Sequence, residues 1–151
     1  MNAVPASRPA WPALAAEDLR TLAWLHAKEH APELLAELYA NGFPDTLVLV
    51  DADAPESRAM AVALRALASS RCDSEGELPY TDADQLAADY AAIYLTGAFG
   101  VAPSESFWLT DDHLVCQQPM FDLRALYAAD GLVAPDWRRR PDDHLVHELQ
   151  Y

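Results

Sequence analysis

The sequence is poor in the residues that build disulfide frameworks, β-rich folds, membrane spans and phosphate-binding surfaces. Two cysteines, Cys72 and Cys116, occur in 151 residues. Two thiols cannot form a disulfide framework, and their spacing matches no metal-ligand pattern. Only 5 glycines are present, too few for the many tight turns of a β-rich domain. No stretch of about 18 apolar residues exists, which predicts no membrane insertion. Met1 to Pro12 shows no charged segment followed by an apolar core, so no signal peptide is predicted. Together these features favour a reducing cytoplasm.

Basic residues are also scarce. Ten Lys and Arg stand against 24 Asp and Glu, a net charge of −14. Such a surface repels nucleic acid and anionic lipid and attracts basic peptides. The same acidity also serves solubility alone.

What the chain has in quantity is apolar surface, at 52%, and alanine in nearly every segment. Alanine is the strongest helix former, and the expected class is all-α. Met1 to Pro12 reads as a flexible lead-in. A first helix is expected over Ala15 to His30, with Leu19, Leu22, Ala23, His26 and His30 on one face. Pro32 suits the first turn of a second helix, with Leu34, Leu35, Leu38 and Tyr39 buried and Asn41-Gly42 as its stop. Thr46 to Val50 is a β-branched run that fits a strand, a buried loop or a helix start.

Pro55 opens a third helix, with Met60, Ala63, Leu64 and Leu67 inward. A polar loop over Ser69 to Tyr80 follows. Thr81 is the expected cap of a fourth helix, with Leu86, Tyr90, Ile93, Tyr94 and Gly97 inward. Gly100 to Asp112 reads as irregular. A fifth helix follows Pro119, with Met120, Leu123 and Tyr127 inward and Gly131 past its end. Pro135 to Arg140 is a charged connector, and a sixth helix is expected from Pro141-Asp142 to the end. Its inward Leu145 and Leu149 need a surface to pack against. The expected organisation is a lead-in over 1–12, a main helical domain over 13–134, and a connector with the start of a C-terminal helical portion over 135–151.

The most specific segment is Arg140-Pro141-Asp142-Asp143-His144-Leu145-Val146-His147-Glu148-Leu149. Two carboxylates at a helix start can cap free N–H groups and suit the positive end of the helix dipole. His144 and Glu148 are one turn apart and can interact. Spacing alone is satisfied by a well-capped acidic helix with no binding role.

Pro-Asp-Asp-His-Leu followed by Glu-Leu resembles the signature of the TorD/DmsD family of molybdoenzyme maturation chaperones. A second block, Asp89-Tyr90, Tyr94-Leu95, Pro103, Glu105-Ser106 and Trp108-Leu109, resembles that family's preceding helix and loop. A third, Leu123-Arg124, Tyr127 and Gly131, resembles the helix between them. The blocks cover roughly residues 82 to 151, in family order. The family runs on from Glu-Leu-Glu-Phe into further helices, whereas here the text is Glu148-Leu149-Gln150-Tyr151. The resemblance thus implies a TorD-like all-α fold lacking its final C-terminal helices. A hinge at 135–140 makes a domain-swapped homodimer one way to complete the core.

The resemblance implies a non-catalytic cytoplasmic chaperone with no cofactor. Its expected partners are the immature catalytic subunit of a molybdopterin oxidoreductase and that subunit's twin-arginine leader, export being held back until the cofactor is in place. Carboxylates of Glu105, Asp142, Asp143 and Glu148 would take guanidinium groups. Tyr90, Tyr94, Pro103, Ser106, Trp108 and Leu109 would form the bed for the apolar stretch. Pro141, Asp143 and His144 are the first candidates for peptide contact. Tyr90 and Trp108 are equally good core residues. Asp143 and His144 can serve in this way only if they are not sealed in the core.

Three other patterns are weaker. Leu47-Val48-Leu49-Val50-Asp51-Ala52-Asp53 resembles the nucleophile loop of haloacid-dehalogenase phosphatases, but Ala54-Pro55 follows it and the one lysine, Lys28, precedes it. His26 and His30 have the i, i+4 spacing of zinc ligands yet sit on an apolar face. Arg138-Arg139-Arg140 has no apolar run after it and is expected to pair with Asp136, Asp142 and Asp143. An acidic scaffold for some other helical partner is the remaining alternative.

Overall fold

The computed structural model describes residues 11–51, 53–72 and 80–151, with the side chains of 67–72 and 80–83 set aside. Among them are seven α-helices and no strand: α1 Trp11–Ala27, α2 Pro32–Ala40, α3 Pro55–Cys72, α4 Tyr80–Tyr90, α5 Glu105–Leu109, α6 Gln118–Ala129 and α7 Leu145–Gln150. A π-helical turn, Ala91–Thr96, extends α4 and ends at Gly97 in the left-handed region. The all-α expectation is met.

Helix α2 follows its sequence signals closely. Pro32 stands in its first turn, where no N–H is needed, and Asn41 is the C-cap. Gly42 then takes φ +91°, and a Cβ there would lie 3.2 Å from Thr46 Cγ2. The reversed chain packs Phe43, Leu47 and Leu64 into a small core, with Leu22, Leu25, Leu35, Leu38, Tyr39 and Val50 against it. Thr46 to Val50 is neither strand nor helix. Its amide at Leu49 donates to the buried Asp18 on α1 (2.8 Å), so a carboxylate replaces a ladder partner.

Several boundaries move. Trp11 and Pro12 belong to α1 and not to the lead-in, and α1 stops at Ala27. Its buried side is Ala15, Asp18 and Ala23, while Leu19 is exposed. Met60 and Ala63 face outward, and Leu64 is buried. Leu67 and the capping side chain of Thr81 lie outside the described residues, and α4 already begins at Tyr80. The irregular stretch 100–112 contains α5.

The largest difference concerns the C-terminus. The last helix begins at Leu145, not at Pro141-Asp142. It packs along α1, with Val146 only 1% exposed. The first helix of the same chain therefore supplies a packing surface for this last helix. Arg140 adds to this closure by donating to the carbonyl of Ala27 (2.8 Å) at the end of α1. No helix among the described residues is long and apolar enough to cross a membrane.

Candidate functional site

The loop before α5 and the turn before α7 are joined by a short antiparallel bridge between Ser104 and His144. The Glu105 amide donates to the Asp143 carbonyl (2.9 Å), and the Leu145 amide donates to the Pro103 carbonyl (2.8 Å). Side chains lock the same crossing. Asp143 Oδ2 accepts from Ser104 Oγ (2.8 Å) and from the Ser106 backbone N–H (2.7 Å). Ser106 Oγ in turn accepts from the Gln117 amide (3.1 Å), just ahead of α6. Asp143 thus satisfies a free amide at the start of α5 from a distant part of the chain, a capping role normally filled by a neighbouring residue.

This geometry places four of the expected peptide-contact residues inside the protein. Asp143 and Ser106 are fully buried, Asp142 is 2% exposed and His144 is 8% exposed. Most of their polar groups are engaged with other parts of the same chain. Asp142 Oδ2 is bonded by Arg124 Nη2 (2.6 Å), and the Asp142 carbonyl accepts from Tyr127 (3.3 Å). His144 Nδ1 accepts the Val146 amide (3.1 Å) and is the N-cap of α7. Asp143 Oδ1 is buried without a hydrogen-bond partner among the described residues. Pro141 is half-buried, and its carbonyl accepts from His147 Nδ1 (3.0 Å).

Tyr90 and Tyr94 are half-buried and stacked at 4.7 Å. The Tyr94 hydroxyl is hydrogen-bonded to His26 Nδ1 on α1. Tyr94 thereby reaches α1, and Tyr90 packs on Tyr94. His30 bonds the Trp24 carbonyl (3.1 Å), and its ring lies tilted against the Trp24 ring at 4.3 Å. No group of three His, Cys, Asp or Glu among the described residues is placed to hold a metal. Asp51 accepts the Asp53 amide, and Asp53 pairs with Arg58, on an exposed turn ahead of α3. That turn is not the sheet edge a phosphatase nucleophile loop requires.

Five of the predicted residues do share one accessible surface. Pro103, Glu105, Trp108, Leu109 and Glu148, with Ala102, Ser104 and Leu145, line a groove of about 260 Å³ between α5 and α7. Trp108 is 57% and Leu109 66% exposed. The Trp108 ring is held edge-on to Phe107, and its N–H donates to the Ala102 carbonyl. Glu105 and Glu148 bring carboxylates from the two walls. Burial, then Glu105 and Asp143, push the Glu148 carboxyl up to about 6. Burial, then Glu148, Asp142, Asp143 and Glu105, push Tyr127 up to about 12. In both groups burial is the larger cause, and the neighbouring carboxylates add to it.

This crossing of the α5 and α7 approaches, a clasp held by Asp143 and His144, has its own pH signature. Burial first, then the charges of Arg140 and His147, lower His144 from 6.5 to about 4, against Asp136 and Asp143. The folded protein refuses a proton that the unfolded chain accepts below pH 6.5, so stability falls as pH drops from there toward 4. The expected loss is about 2 kcal/mol after allowance for solvent screening. The raised Glu148 acts oppositely, adding stability as pH falls through 6, but it is exposed and contributes less. Urea unfolding at several pH values checks this. His144→Asn keeps an acceptor at the N-cap and should flatten the acid-side loss; an unchanged slope would refute the assignment.

Sequence reasoning missed a second accessible region. Arg124, Tyr127, Ala128, Leu132, Val133, Trp137 and Asp142 line a cleft of about 290 Å³ beside α6. Arg124 lies between the Phe121 and Trp137 rings, at 5.5 and 5.8 Å. The adjacent apolar pair Leu132-Val133 after Gly131 was the available signal. The connector also departs from its predicted pairing: His147 Nε2 donates to Asp136 (2.7 Å), and Arg140 reaches Ala27. Burial works to raise the Asp136 carboxyl, but the His147 hydrogen bond and the Arg140 and His147 charges hold it below its ordinary value.

The described residues thus form a helical domain with a locked loop crossing and a surface groove lined by two carboxylates and an apolar wall. The sequence model of the nitrate reductase delta subunit family matches residues 51–151, more than half of the chain. The chain belongs to that family, which is one of molybdoenzyme maturation chaperones. Comparison with curated proteins and with solved structures gives no match.

Proposed function

We propose that this chaperone is of the TorD/DmsD kind and acts in the cytoplasm. On this reading it holds the leader and the immature catalytic subunit of a molybdopterin oxidoreductase, and delays export until the cofactor is inserted. The observation that carries the reading is the α5–α7 groove. It sets two carboxylates, Glu105 and Glu148, beside an exposed apolar wall, Trp108 and Leu109. A leader with paired arginines and then an apolar stretch offers the complementary order of charges and apolar groups. Guanidinium groups can fork onto carboxylates, and aromatic anchors supply contact area at small entropic cost.

The Glu148 carboxyl, raised first by burial and then by Glu105 and Asp143, supports this, because an arriving cation would offset the part that comes from those charges. The buried Asp142, Asp143 and His144 then act indirectly by holding the groove walls in place. The test is titration of the intact chain with a synthetic Arg-Arg leader, followed by fluorescence anisotropy. Affinity is expected to fall about tenfold or more between roughly 50 and 500 mM salt, as exposed ion pairs are screened. It should also drop with a Lys-Lys leader, whose ammonium groups lack the fork geometry. Equal affinity for both leaders at both salt concentrations would favour an acidic scaffold that ignores the paired arginines.

A further inference from the structure

The three consecutive arginines are split by the turn that carries them. The Asp136 carbonyl accepts the amides of Arg139 (2.7 Å) and Arg140 (3.0 Å). This turn sends Arg140 inward to the Ala27 carbonyl and leaves Arg138 and Arg139 exposed. Among the described residues no carboxylate pairs with either of the two. Arg138 instead lies over the Trp137 ring at 5.2 Å, and that ring is 49% exposed. The only run of adjacent basic residues in a chain of net charge −14 is thus presented outward, next to an exposed aromatic.

That surface has the composition the α5–α7 groove is suited to receive. We propose that Arg138 and Arg139 of one copy seat against Glu105 and Glu148 of a second copy, with Trp137 against the apolar wall of Trp108 and Leu109. The inference rests on reading the groove as a receptor for cationic and apolar groups. Both surfaces border α7. His147 ties the connector to one side of it, while Leu145 and Glu148 line the groove on another. The helix is six residues long, roughly 9 Å. A two-fold axis beside it would place each copy's arginines at the other's groove, giving a closed dimer in which each chain occupies the other's groove. At about 0.15 M salt the Debye length is about 8 Å, which screens the repulsion between the net charges but leaves pairs in contact attractive.

A charge-swap experiment on intact chains tests this by sedimentation at about 0.15 M salt. One variant carries Arg138→Glu and Arg139→Glu, the other Glu105→Arg and Glu148→Arg, and circular dichroism confirms that each is folded. Wild type is expected to associate with rising concentration. Each variant alone should associate at least tenfold more weakly, and an equimolar mixture should recover the wild-type behaviour. A wild type that stays monomeric, or a first variant that associates like wild type, would overturn the proposal. So would a mixture no better than its components. No leader is present in the measurement, so its outcome is separate from that of the leader titration.

Discussion

Asp143→Ala is expected to lower stability by about 3 kcal/mol, roughly 10 °C in melting temperature for a chain of this length. The Asp143 carboxylate accepts from the Ser104 hydroxyl and the Ser106 amide, in a place where neither donor can reach water. Hydrogen bonds to charged groups contribute about 1.5–3 kcal/mol each, and a stranded buried donor costs more than the bond itself. The loss is offset in part because a buried charge is also removed. Asp143→Asn keeps one carbonyl oxygen for both donors and should cost clearly less than alanine. Thermal unfolding of both variants followed by circular dichroism gives the comparison. Equal losses would mean that the two hydrogen bonds at Oδ2 contribute little.

The second large effect is on binding. Glu105→Gln with Glu148→Gln removes both groove carboxylates and leaves the clasp in place. Leader affinity is expected to fall about a hundredfold, in line with about 1.4 kcal/mol lost for each charged partner. Stability should hold or rise slightly at neutral pH. The raised Glu148 carboxyl disfavours the fold above pH 6, and an amide cannot ionise.

These two results would separate roles that the sequence merges. The run Pro141 to Leu149 has Pro, two acids and then an apolar periodicity, the usual marks of a helix start. A carboxylate that caps its own helix and one that caps a distant helix leave the same trace in one sequence. Only the folded chain shows that Asp143 reaches the α5 amide and that His144 is the cap of α7. Burial was hidden for the same reason: Asp142 stands opposite Arg124 through tertiary contact, across a separation that no local pattern encodes.

Elements with local chemistry were readable. Pro32 and Asn41-Gly42 mark the limits of α2, and Pro119 and Gly131 bracket α6, because proline and glycine act on their own backbone. Helix α5 was hidden because five residues give too short a period to detect. The burial pattern of α1 was blurred because small residues, Ala15 and Ala23, and the polar Asp18 take the inward positions. The groove itself was half legible. Glu105, Trp108, Leu109 and Glu148 were among the expected residues, but their meeting depends on the bridge between Ser104 and His144.

The most direct test compares leader affinity in two variants side by side, Glu105→Gln/Glu148→Gln and Asp143→Asn, each shown to be folded at the assay temperature. The groove variant should lose binding about a hundredfold while melting like wild type. The clasp variant should bind within a few-fold of wild type while melting lower. The reverse order, with binding lost at Asp143 and kept without Glu105 and Glu148, would contradict a receptor on the exposed groove.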